Sequence, residues 1–322
     1  MSGNQRYLSL DVFRGMTICF MIIVNSPGAW DIAYAPLLHA PWHGFTPTDL
    51  VFPSFLFAVG NAMAFSMRKY EEQGDSAFWR KTLKRTAIIF LLGYLMYWFP
   101  FLREAEGGGF ELKPIAETRI FGVLQRIALC YFCASAILHL GSKKIAIWFS
   151  ALALTGYWVI SYMFGDANDP FSLAGNAGLK LDLWLVGEKH LYHGEGIAFD
   201  PEGLLSTLPS IVNVIAGYLG GDYIRRRGNS FETIAKLLIA GALLILASLS
   251  WDMVFPINKK LWTSSFVMLT VGLDLVILSV LIYSIEIEKS RKWTNFFLVF
   301  GRNLLFIYIL SEVLLIILYS FS

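Results

Sequence analysis

Runs of roughly twenty apolar residues recur along this chain, and they constrain its fold more than any other feature. A helix of that length, rising about 1.5 Å per residue, matches the hydrocarbon thickness of a bilayer. The runs are read at about 8–27, 50–68, 84–101, 119–140, 145–164, 204–224, 233–251, 262–285 and 296–320. Strands of a membrane barrel would instead alternate in polarity over about ten residues. The expectation is therefore all-α: a polytopic transmembrane helical bundle of nine to ten spans, forming one domain over residues 1–322. Composition agrees, with 56% hydrophobic and only 16% charged residues, where a soluble domain carries about 25% charged. In the first run Asp11 and Arg14 interrupt what would be a leader core, which argues against a cleaved signal peptide.

Orientation follows from Lys and Arg, which favour cytoplasmic loops. With the N-terminus inside, the inner face collects Arg14, Lys81, Lys84, Arg85, Lys143, Lys144, Arg225, Arg226, Arg227 and Arg291, among others. The opposite face holds the sparser set Arg103, Lys113, Arg119, Lys180, Lys189, Lys259 and Lys260. The N-terminus is thus expected in the cytoplasm, with the long loop at about 165–203 outside. A loop of that length in a compact protein usually carries function, and its Gly, Asp and Pro leave room for one short interfacial helix. The net charge of +2 gives no footprint for nucleic acid. Cys19, Cys130 and Cys133 all fall in apolar runs, so the Cys130–Cys133 spacing reads as small helix residues rather than a redox pair.

Several polar residues stand where a bilayer makes them costly, which is a default signal of use. The stretch LLHAPWHGFTPTDLVFPSFLF places His39, His43 and Asp49 at the mouth of the second span. A histidine poised near neutral pH is the commonest general base, and Asp49 could orient it. Zinc would need both histidines on one helical face; Pro41 and Gly44 oppose that helix, and Asp31 and Asp49 complete no ligand spacing, so no metal is expected. Asn25 ends the first span ahead of Pro27 and Gly28, either as a polar helix end or as an amide offered to a ligand. Gln125 and Arg126 enter the fourth span. Arg126 needs an anion, which is either a carboxylate (Asp49, Asp274 or Glu312) or a ligand group. Asp274 and Glu312 read as partners for a buried cation. Asp11 and Arg14, three apart, can pair on one helical face.

The blocks SLDVFRGMTI, LHAPWHGFTPTDLVFPSFLFAVG, RIFGVLQRIALCYF, HLYHGEGIAFDPEGLLSTLPSI, INKKLW and GRNLLFIYILSEV, in collinear order from about residue 6 to 320, resemble the heparan-α-glucosaminide N-acetyltransferase family. The resemblance implies an acetyl-CoA-dependent transmembrane acyltransferase that acetylates a glucosamine-type amine on the external face. It puts the family's active-site histidine on His39, its asparagine on Asn25 and its motif aspartate on Asp49, and it leaves His43 incidental. Beyond the residues that the resemblance supplies, Arg14, Trp42, Gln125, Arg126, His193, Glu195 and Asn303 are the candidate contacts to substrate or CoA. The expected mechanism has His39 as general base and Asn25 as donor to the oxyanion or acetyl carbonyl, with a covalent acetyl-His39 as the alternative.

Set beside the family, the sequence is expected to lack a large lumenal domain and a leading span, and its runs stop at the ninth, so either the chain is truncated or its C-terminus lies outside. Heparan sulfate itself is therefore not the expected acceptor. The expected partners are an amino-sugar or glycan acceptor and membrane lipid, with no nucleic acid and with a homodimer left undecided. Two rival functions are an envelope-glycan O-acyltransferase, against which the DPEG and TDLVFP blocks speak, and a sugar transporter, which predicts inverted repeats that the sequence does not show.

Overall fold

The structure, a computed structural model, describes residues 7–26, 32–104 and 108–320; Pro27, Gly28 and Asp31 lie outside the described residues. Eleven helices are described: α1 Leu8–Asn25, α2 Val51–Glu71, α3 Asp75–Trp98, α4 Val123–Leu140, α5 Lys143–Phe164, α6 Ala177–Leu185, α7 Leu204–Arg227, α8 Phe231–Asp252, α9 Ser264–Ile282, α10 Thr294–Arg302 and α11 Leu304–Ser320. A small hairpin, β1 Leu102–Glu104 against β2 Phe110–Leu112, interrupts the α3–α4 connection and was not anticipated.

Seven of these helices are long and apolar enough to cross a membrane, or eight if α10 and α11, bent by 83° at Asn303, make one broken span. The expected run at 84–101 corresponds to α3, which is not among the seven. Asp75, Arg80, Lys81, Lys84 and Arg85 charge its first three turns, so only its second half is apolar. The helix nevertheless runs the depth of the bundle. Asp75 at its start meets His139 at the end of α4 (3.2 Å), and Trp98 at its end donates to the Lys113 carbonyl (2.8 Å) beside the hairpin.

Local chemistry sets the helix starts. The side chains of Ser142, Asn176, Ser230 and Thr263 accept backbone N–H groups at the first turns of α5, α6, α8 and α9. At the start of α1 that role falls to a distant carboxylate: Ser9 N–H donates to Glu286 Oε1 at 3.1 Å. Glu286 stands on a π-helical extension of α9, Tyr283–Ile287.

Small residues bring α2 and α7 together at the centre. A Cβ on Gly60 would lie 1.9 Å from the Val214 carbonyl oxygen, and one on Gly217 would lie 2.0 Å from that of Phe57. Such backbone contact replaces the solvent-driven burial that a bilayer cannot supply. Buried Trp262 then closes the end of the core nearest the His39 loop, edge-on to Phe52 (5.1 Å) and Phe266 (5.4 Å).

The connections sort to two ends. At one end Trp42 Nε1 donates to the Phe171 carbonyl (2.9 Å), Ile120 N to the His190 carbonyl (3.2 Å), and Lys260 pairs with Glu195 (2.5 Å). This ties the 32–46, 99–104, 108–122, 165–203 and 253–263 segments into one cap. The cap contains α6, the short helix of the long loop. At the other end Lys143, Arg225 and Arg226 converge on Asp222, and Tyr7 OH reaches the Ile224 carbonyl (3.4 Å). Cys19, Cys130 and Cys133 are all free thiols.

Candidate active site

The second span is entered through a capping box. Thr46 and Asp49 exchange side-chain and backbone hydrogen bonds across a single 3-10 turn, Pro47–Leu50. Asp49 is fully buried, and its Oδ2 accepts the N–H groups of Thr46 (2.9 Å) and Ala40 (3.2 Å). Its other oxygen, Oδ1, is thereby aimed at His39 Nδ1, 2.7 Å away. A carboxylate can only accept here, so Nδ1 carries the proton and Nε2 the lone pair. One carboxylate thus caps the helix, closes the loop and sets the histidine tautomer.

Lys259 completes the group. Its Nζ lies 3.0 Å from His39 Nδ1, 3.1 Å from Nε2 and 3.8 Å from Asp49 Oδ1. Enclosure by the cap and the Lys259 cation hold His39 below the usual histidine range, against the pull of its Asp49 hydrogen bond. Lys259 is itself held below the usual lysine range by burial, with Asp49 opposing.

His39 and Lys259 open onto a cavity of about 150 Å³, which they share with Asn25, Glu202 and Tyr308. Asn25, the last residue of α1, donates from Nδ2 to Glu312 Oε1 (2.8 Å) on α11. Glu202 is held by Arg119, whose Nη2 lies 2.6 Å from Glu202 and 2.7 Å from Asp200. Beside them Asp182 on α6 accepts the Leu204 N–H at 3.0 Å. Burial and nearby Asp200 push its carboxyl up to about 7 despite that hydrogen bond.

A second concavity, about 950 Å³, opens toward the opposite end. Arg14, Lys81, Lys84, Arg85 and Arg302 stand around it with Asn303. Arg14 also reaches Asp11 Oδ1 (3.4 Å), as expected from their spacing, and the Gly301 carbonyl (3.2 Å). Thr17 lines this groove, while Met21, one turn further along α1, lines the His39 cavity; Leu124 and Val123 of α4 divide in the same way.

The structure therefore brings together His39, Asp49 and Asn25 at one end, and Arg14 and Asn303 at the other. The remaining expected site residues are elsewhere. Trp42 and Glu195 tie cap segments together through Phe171 and Lys260. His193 is exposed, away from the cavity lining, and His43 faces Asn258 Nδ2 at 3.3 Å. Gln125 is buried between α3 and α4, in space left by Gly93, and lines neither concavity.

Arg126 pairs with none of the three expected carboxylates. It donates to the Gly203 carbonyl (3.0 Å) and to Ser206 Oγ, and it lies 4.9 Å over the Trp262 ring. Asp274 accepts instead from Ser54 Oγ (2.5 Å) and Glu312 from Asn25, so neither answers a buried cation. The reason is geometric: Arg126 sits at the outer end of α4, against the start of α7. Sequence reasoning missed Lys259, Glu202 and Tyr308. The first two fall within the INKKLW and DPEG blocks; of the groove cations, Arg14 was an expected CoA contact, and the basic runs were read as topology determinants that would also attract a polyanion.

Fold and site together define a polytopic helical membrane protein with a charged, built cavity under its cap. The family profile described as "Heparan-alpha-glucosaminide N-acetyltransferase, catalytic" matches residues 6–182, more than half of the chain, and the chain belongs to that family. It is similar to the human heparan-alpha-glucosaminide N-acetyltransferase, with 28% identity over an alignment of 364 residues covering 96% of this chain and 53% of the relative. The mouse protein of the same name is 27% identical over 369 aligned residues, covering 97% and 54%. The chain thus spans about half the length of these relatives.

Proposed function

We propose that this chain is a transmembrane acetyltransferase that passes an acetyl group from cytoplasmic acetyl-CoA to the amino group of a glucosamine-type sugar on the external face. The observation that carries this reading is that two concavities take lining from successive turns of α1, Thr17 in the cation-rimmed groove and Met21 in the His39 cavity. A groove of about 950 Å³ is of a size to take an extended nucleotide-bearing ligand. Lys81, Lys84, Arg85, Arg14 and Arg302 supply counter-charge for its phosphates. CoA brings the activated thioester carbonyl; the protein supplies position and proton transfer. His39 Nε2 takes a proton from the attacking amine and passes it to the CoA sulfur as the carbon–sulfur bond breaks, Asp49 holds the tautomer, and Asn25 offers an amide N–H to the developing oxyanion.

Sidedness rests on charge. The groove opens at the end that carries most of the Lys and Arg, which the positive-inside rule assigns to the cytoplasm. Counting α3 and the bent α10–α11 pair with the seven apolar helices makes nine spans, with the N-terminus inside and the His39 cap outside. On this reading the protein is a single domain of a bacterial inner membrane.

The test is His39→Ala in proteoliposomes, with acetyl-CoA on the groove side and glucosamine on the cap side. Loss of a general base costs about 10²–10⁴-fold, so acetyl transfer should fall by at least 100-fold while the thermal shift produced by CoA persists. Retention of more than about a tenth of wild-type turnover would overturn the role of His39.

A further inference from the structure

Among the described residues, Lys259 is the charged side chain that lies against both nitrogens of the His39 ring (3.0 and 3.1 Å), and its place there is built rather than incidental. The turn that carries it is locked from several sides. Asn258 N–H donates to Thr263 Oγ1 (3.0 Å), Asn258 Oδ1 accepts Leu261 N–H (2.8 Å), and Trp262 N–H donates to the Lys259 carbonyl (3.0 Å). Trp262, with φ of 54°, takes a left-handed conformation that costs a bulky residue energy and is held by its buried ring. The Ile257 carbonyl accepts Gly44 N–H (2.8 Å), so the turn is also bonded to the histidine's own loop. A surface lysine needs no such scaffold.

We propose that Lys259 is a positioning residue of the His39 site, whose ammonium, wedged against the imidazole, holds the histidine as its free base with Nδ1–H on Asp49 and the lone pair on Nε2. The inference deepens the acetyltransferase reading and rests on it for its use, but the contact is a property of the resting protein. Asp49 pulls toward the imidazolium, and the burial of the ring works against that pull. The lysine cation opposes that pull across about 3 Å in a partly dry site, where charges act more strongly than in water. Lys259 therefore acts together with burial to keep the base able to accept a proton and willing to release it.

The other charged and titratable groups around the cavity are Glu202 ahead of α7, Tyr308 and Glu312 on α11, and Lys260 in the same turn as Lys259. Glu202 is committed to Arg119, Glu312 to Asn25 and Lys260 to Glu195. Lys259 is the cation left against the ring.

The test reads His39 directly. Diethyl pyrocarbonate modifies only neutral imidazole, so the rate at which it modifies His39, resolved by peptide mass spectrometry across pH, gives the midpoint of its titration without any assay of transfer. In the wild-type protein that midpoint should lie below that of a histidine in an unstructured peptide; a midpoint above it would overturn the proposal on the native protein alone. Lys259→Met should move the midpoint to higher pH, slowing modification on the acid limb about tenfold for every pH unit it moves. Lys259→Arg should leave it near the wild-type position. An unmoved midpoint in a folded Lys259→Met protein overturns the proposal. If the midpoint moves as stated while the wild-type protein transfers no acetyl group, the inference about Lys259 stands and the acetyltransferase reading falls.

Discussion

Arg126 occupies the first turn of α4 with its guanidinium inside the protein, where only a backbone carbonyl, a serine hydroxyl and an indole face receive it. That arrangement uses the flat, forked shape of the group as well as its charge. A lysine has one compact ammonium, cannot reach the Gly203 carbonyl and Ser206 together, and stacks less well on Trp262. Arg126→Lys should therefore lower the stability of the protein by about 1–3 kcal/mol, the cost of leaving buried polar groups unanswered. Thermal unfolding with and without CoA checks this: the melting temperature falls, but the ligand-induced shift survives, because Arg126 lines neither concavity. A normal melting temperature with a lost shift would place the residue at the ligand instead. The contrast with Asp49 is instructive. Both are buried ionic groups near a helix start, but Asp49 has one oxygen occupied by backbone and the other turned to a titratable ring.

Between helices, the closest approach at the centre is that of α2 and α7, and it depends on side chains that are not there. Gly60 and Gly217 let each backbone reach the other helix's carbonyls, so even one methyl group must push the pair apart. Gly60→Ala is expected to destabilise by about 1–3 kcal/mol, the usual cost of overpacking a tight core. Gly156, whose added Cβ would meet open space, is the control; there Ala should be neutral or slightly stabilising. Denaturation in detergent compares the two, and equal effects would remove the α2–α7 contact as the cause. The α10–α11 break works on another principle. The 83° bend at Asn303 brings the start of α11 to the groove lining while α10 runs beside α1, with the Phe297 backbone against Gly15.

For the whole molecule the decisive question is which end faces which compartment. The cap gathers connections that lie an even number of crossings apart, and the opposite end gathers those between them. This alternation holds only if α3, despite its charged first turns, crosses with the others. Single cysteines at Gln73 and Lys189, in a background where Cys19, Cys130 and Cys133 are replaced, should therefore label with an impermeant reagent from opposite sides of the membrane. Labelling of both from one side would contradict the nine-span arrangement and, with it, the separation of CoA from the acceptor.

The existence and approximate limits of the helices were legible in the sequence, because a bilayer interior leaves the backbone no partner but its own helix, and the apolar runs record this residue by residue. His39 and Asp49 were legible as a pair for a related reason: they are ten residues apart, within one turn-rich segment whose Thr46 and Asp49 spell a helix start. The hairpin after α3 and the absence of an ionic partner for Arg126 among the described residues were not legible. Nor was Lys259, 220 positions from the histidine it touches, or Glu312, 287 from Asn25. Contacts across such separations have no periodicity to betray them. They are set when glycine-lined helices settle against each other and locked turns aim their side chains, so only the tertiary structure decided which of the buried charges meet.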